Sequence, residues 1–132
     1  MKLRACLVLC WAFASPAAPS RAAGDAVHGK ALYESLCTGC HSVEDHRVGP
    51  AHCGVFGRKA GTSPGFAYSR ALKQANLVWN ETSLTAWLTN PEQLIPGQAM
   101  NFQLDNAQVR IDIVAFLRGL VPGKVCWRPN RE

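Results

Sequence analysis

The chain has 132 residues, and its 14 Lys and Arg against 9 Asp and Glu give a formal charge of +5. Three of those basic residues, Lys2, Arg4 and Arg21, fall within the first 22, so the remainder carries 11 against 9, or +2. That near balance excludes the basic stripe of a nucleic-acid binder, and the roughly 110 residues that remain suffice for one small core.

Residues 1–22 read as an export signal that is cleaved. Lys2 and Arg4 make a charged start, Ala5 to Ala14 form an uncharged apolar run, and a Pro/Ala/Ser tract leads to the small residues Ala22, Ala23 and Gly24. The apolar run is too short to span a bilayer, so no stable membrane insertion is expected and the chain from 23 to 132 should be a periplasmic domain. Of six cysteines, Cys6 and Cys10 leave with the signal.

Asp25 to Leu36 predicts a helix, with Lys30 and Glu34 as an i,i+4 pair. Gly29 inside it costs about 1 kcal/mol of propensity relative to Ala. Either another helix crosses closely there or the first turn is frayed, and the sequence does not choose.

Cys37-Thr38-Gly39-Cys40-His41 follows. Two thiols three positions apart share one helical face, so both sulfurs can reach the two vinyl groups along one edge of a porphyrin. The adjoining imidazole can then bind iron from the proximal side, which predicts covalently attached haem c with His41 as a metal ligand. A thioredoxin-like redox pair would want a βαβ context, and no strand run flanks the motif. Half of a zinc site would want a second close pair, which Cys53 and Cys126 do not form. In an oxidising compartment a disulfide between those two, tying the tail to the middle of the chain, is the expectation, with two independent thiols as the alternative. Such a closure contributes roughly 4 kcal/mol in the chain-entropy account.

Val48-Gly49-Pro50 must be extended or turned, because proline lacks an N–H and fixes its own φ. The Pro50 carbonyl is expected to accept the Nδ1–H of His41 and so fix its tautomer. Gly54 to Tyr68, with four glycines and Pro64, reads as a long loop held by something buried inside it. Ser69 should cap a short helix through Lys73, and Asn80 to Asn90 predicts another, ended by Pro91. Leu94 to Phe102 is an apolar loop holding Met100, the only methionine besides Met1. Asp105 with Gln108 suggests a capping box opening a last helix to Leu120, its stripe made by Val109, Ile113, Phe116, Leu117 and Leu120. Residues from about 121 to 132 read as a tail, with no second domain.

Taken in order, Cys37 to His41, Val48-Gly49-Pro50, Gly57-Arg58-Lys59, Pro64 to Tyr68, Val78-Trp79, Asn90-Pro91 and Ile95-Pro96-Gly97 with Met100 resemble the class I c-type cytochromes, the cytochrome c2 and mitochondrial-like group. The resemblance runs from about Gly29 to Leu120. It implies a small all-α fold whose N- and C-terminal helices cross around one haem, and a monomer that carries single electrons rather than an enzyme. It implies Met100 as the distal metal ligand, Tyr68 and Trp79 as partners of a haem propionate, and Arg58 as its charge balance. It also implies Trp87 near the methionine sulfur, and His46 as a tie between the Gly-Pro loop and the loop around Pro64. The partners implied are redox proteins: a dehydrogenase or cytochrome complex as donor, a terminal oxidase or reductase as acceptor.

Three positions depart from the pattern. His52 stands where the family usually has a buried leucine, and Gln98 where it has a threonine near a propionate. Leu36, Glu92, Gln93 and Ala99 stand where docking lysines are common, so electrostatic steering should be weak. His52 keeps open a haem enzyme or sensor with a labile sixth site, acting on peroxide or a gas. A dedicated electron-accepting subunit of a dehydrogenase complex is the third reading.

Overall fold

Five helices carry the residues described by the computed structural model, 23–124 and Cys126: α1 Ala26–Leu36, α2 Arg70–Gln74, α3 Glu81–Thr89, α4 Pro91–Leu94 and α5 Ala107–Gly119. Among the described residues β pairing is confined to two isolated bridges, Lys59 with Val78 and Pro122 with Cys126, as an all-α chain requires. The expected signal, residues 1–22, and all of the tail from 125 onward except Cys126 lie outside the described residues.

Short polar side chains start each helix by accepting from otherwise unpaired N–H groups. Asp25 caps α1, taking the N–H of Val27 and His28 at 2.8 and 3.1 Å. Ser69 caps α2, and Asn80 opens α3 through a reciprocal capping box with Ser83. Two expectations are corrected. Pro91 does not simply end α3, because Asn90 closes α3 and caps α4, with Pro91 in the first turn where its missing N–H costs nothing. Asn106, not Asp105, caps α5, accepting from Gln108 and Val109 N–H at 2.9 and 3.2 Å. The Gln108 side chain is therefore free to reach Asp112 at 2.8 Å.

The crossing of α1 on α5 organises the core. Gly29 lies buried against the Asp112 carbonyl, so close that a methyl group at position 29 would overlap it. This decides the question left by the sequence: the glycine serves a close crossing. Around it Tyr33, Ile113 and Val114 are no more than 2% exposed, and Leu84, Trp87, Leu88, Trp79, Ile95, Leu117 and Leu120 continue the same cluster. Each large side chain buried there contributes about 1.5–3 kcal/mol.

Asp112 is a buried carboxylate at this crossing. It accepts from Asp25 N–H at 2.9 Å, His28 Nδ1–H at 2.8 Å and Gln108 Nε2–H, joining the start of α1 to the middle of α5. The Asp25 N–H leads the causes that hold its carboxyl below the ordinary carboxylate range, outweighing burial, with His28 and Gln108 adding to it. A depressed folded-state pKa gives stability that is full above the ordinary range, about pH 4, and is lost as pH falls through the folded value. Asp112→Asn should cost about 1–3 kcal/mol at neutral pH. It should also flatten the acid limb of a stability–pH curve measured by denaturant titration.

Candidate functional site

Cys37 closes α1 as its C-cap, and the next residues continue as a single turn. Cys37 C=O accepts from both Cys40 N–H at 3.1 Å and His41 N–H at 2.8 Å. The turn holds the two thiols three residues apart on a helical path, with the imidazole just beyond. Neither sulfur is in a disulfide; Cys37 is half-buried and Cys40 exposed. Burial, reinforced by the neighbouring Cys40, pushes the Cys37 thiol up to about 11. A redox dithiol needs the opposite shift. Among the described residues no group of three His, Cys, Asp or Glu side chains could hold a metal ion. The redox-pair and zinc readings therefore find no support in the site's chemistry.

His41 is fixed as expected. Its Nδ1–H donates to the Pro50 carbonyl at 2.9 Å, which leaves the Nε2 lone pair available to a metal. Burial lowers the pKa of this imidazole, with the Pro50 bond partly opposing it, so the neutral, ligating form is favoured. Gly49 packs against the same ring so closely that any side chain at 49 would collide with it. The Gly-Pro pair is thus read twice: glycine leaves room for the ring and proline's carbonyl orients it.

The loop after this turn is pinned by His46. Ala51 N–H donates to its Nδ1 at 3.0 Å, so Nε2–H is the donor to the Pro64 carbonyl at 2.8 Å. This is the tie expected between the two loops. Arg58 donates to the carbonyls of Cys53 at 2.9 Å and Ala51 at 3.2 Å and lies beside Tyr68, while its Nε is buried without a partner in the protein. A cation with an unsatisfied buried donor beside a tyrosine hydroxyl suits an anionic group such as a propionate. Trp79 and Trp87 are both buried and meet edge to face, ring centroids 5.3 Å apart.

Met100 sits half-buried in the loop after α4, packed against the cluster that contains both tryptophans. Gln98 shapes that loop. Its side-chain oxygen accepts the Met100 N–H, and its nitrogen donates to Glu92 at 3.3 Å. A thiol pair, an oriented neutral imidazole, a thioether on the same core and a poised cation make a donor set that fits haem c.

Two residues that motif reading did not assign to the site belong beside it. His52, the departure from the family pattern, stacks on His41 with centroids 4.2 Å apart and planes at 21°. Its Nδ1 lies 3.1 Å from the hydroxyl of Tyr33 on α1. Cys53, next along, has its Cα 5.7 Å from that of Cys126.

The family model of cytochrome c matches residues 26–120. Cytochrome c of Euglena viridis is 45% identical over 100 residues, covering 74% of this chain and 98% of that protein. Cytochrome c2 of Rhodomicrobium vannielii is 43% identical over 104 residues, covering 76% and 82% respectively. The structure of cytochrome cH from Methylobacterium extorquens superposes with a TM-score of 0.69 at 38% identity, over 73% of this chain and 99% of that one. Fold, motif order and relatives agree: the chain belongs to the cytochrome c family, electron carriers that hold haem c covalently and exchange electrons with redox proteins.

Proposed function

We propose that this chain is an exported, monomeric, single-haem cytochrome that shuttles electrons one at a time between larger redox complexes in the periplasm. The observation that carries the reading is His41, held with Nδ1–H on Pro50 and Nε2 free, directly after the unpaired Cys37 and Cys40. Cys37 and Cys40 would hold the macrocycle through thioethers, and His41 and Met100 would be the axial ligands. Arg58, Tyr68 and Trp79 would receive a propionate, with Trp87 behind the methionine loop. Haem c supplies a one-electron iron couple. The chain's own part is to keep both ligands fixed, exclude water with its apolar lining, and compensate buried negative charge through Arg58. A stiff site of this kind needs little rearrangement when an electron arrives or leaves.

Residues 1–22 are read as the cleaved signal, and Cys53 and Cys126 as a disulfide whose Cα separation of 5.7 Å is within the ordinary range. Leu36, Glu92, Gln93 and Ala99 are all exposed, so these four positions offer no positive charge for steering, and partner choice would rest more on shape and apolar contact.

One measurement tests most of this. The intact mass of the protein, exported from a host that matures c-type cytochromes and treated with an alkylating agent without reductant, should correspond to residues from about 23 onward plus one haem, with no alkylated cysteine. Colourless protein, or pigment that extracts into acidified organic solvent, would sink the assignment. Two alkylated thiols would remove only the disulfide.

A further inference from the structure

Behind the proximal imidazole lies a second one that haem attachment does not require. The stacked His52 ring is held by the Tyr33 hydroxyl at 3.1 Å, and Tyr33 is itself locked in the α1–α5 crossing, 2% exposed, with the Phe116 ring 5.1 Å away. Burial raises the Tyr33 phenol, with Cys37 adding to this and Arg47 opposing it. Burial also lowers His52, with His41 and Arg58 acting in the same sense. A single hydrogen bond joins the buried phenol to Nδ1 of the half-buried imidazole, so the polar tip of each ring has a partner.

We propose that the Tyr33–His52 pair is a positioning device for the ligand His41, fixing the plane of its ring. The inference rests on the reading of His41 as an iron ligand. Three contacts define that ring: Pro50 fixes its tautomer, Gly49 limits one approach, and His52 supplies the stacking face. An aliphatic side chain at 52 could fill the volume, but it has no hydrogen bond to fix its own rotation and no dipole. His52 has both. Through Tyr33 the ligand plane is coupled to the helix crossing, the most rigid part of the fold, and partners behind a metal-ligating histidine tune both its orientation and its donor strength.

The test uses the mature, haem-bearing protein and the variants His52→Leu and Tyr33→Phe. Readouts are the reduction potential and the spread of the hyperfine-shifted haem methyl proton resonances in the oxidised protein, which follows the orientation of the axial ligand planes. His52→Leu should shift the potential and change that spread, and Tyr33→Phe should change the spread with His52 still in place. Anything less than both effects in His52→Leu, or an unchanged spread in Tyr33→Phe, overturns the inference. If His52→Leu fails to mature, Tyr33→Phe decides alone. Wild-type protein without covalent haem would overturn the functional reading and this inference together, whereas haem-bearing wild type with silent variants overturns this inference only.

Discussion

Met100→Ala is expected to lower the reduction potential by more than about 59 mV, a more than tenfold change in the ratio of oxidised to reduced protein for a one-electron couple. A thioether is a weak donor that favours reduced iron and so raises the potential, and alanine offers the metal nothing in its place. The wild-type protein should show a weak far-red band from sulfur-to-iron(III) charge transfer when oxidised and bind carbon monoxide slowly or not at all when reduced. The variant should lose the band and bind carbon monoxide readily. Met100 is half-buried in a loop shaped by the Gln98 and Glu92 contacts, which do not involve its sulfur, so the loop should keep its course. An unchanged spectrum and potential in this variant would exclude Met100 as a ligand.

Gly29→Val should be the most damaging single change in the scaffold. At an open helical position, replacing glycine gains up to about 1 kcal/mol of propensity. Here the new Cβ overlaps the Asp112 carbonyl, which is backbone and cannot rotate away, so α1 and α5 must separate. Overpacking of this kind costs about 1–3 kcal/mol or more, a large share of the 5–15 kcal/mol that holds a domain together. A loss of about 3 kcal/mol lowers Tm by more than about 10 °C in a domain of this size. Gly119→Ala is the internal control, since nothing lies within 4 Å of a Cβ there, and its Tm should stay level or rise. Equal melting of Gly29→Val and wild type would mean that the crossing is not as close as described.

What could be read from the chain beforehand depended on how local its cause was. The Cys37–His41 motif, the Pro50 carbonyl on His41 and the four longer helices follow from neighbouring residues, and all were legible. The small corrections were local competitions: Asn106 outbid Asp105 as a cap because its side chain reached two free N–H groups. Pro91, a stop signal in one register, is a start signal in the next once Asn90 precedes it. The unread contacts are those between distant residues. Nothing near Asp112 announces that it will take the N–H of Asp25, 87 positions away. Tyr33 and His52 are 19 positions apart and meet only because α1 and the loop after the haem motif fold onto one another. Gly29 is unusual within its own helix, but its reason lies on another one.

The crossing of the first and last helices also orders events in time. Residues so far apart cannot meet until nearly all of the chain has emerged, whereas the turn carrying both thiols is finished within its first third. Both sulfurs are therefore open to chemistry before the helices cross, and a linkage made in that interval would be closed over by the fold that half-buries Cys37.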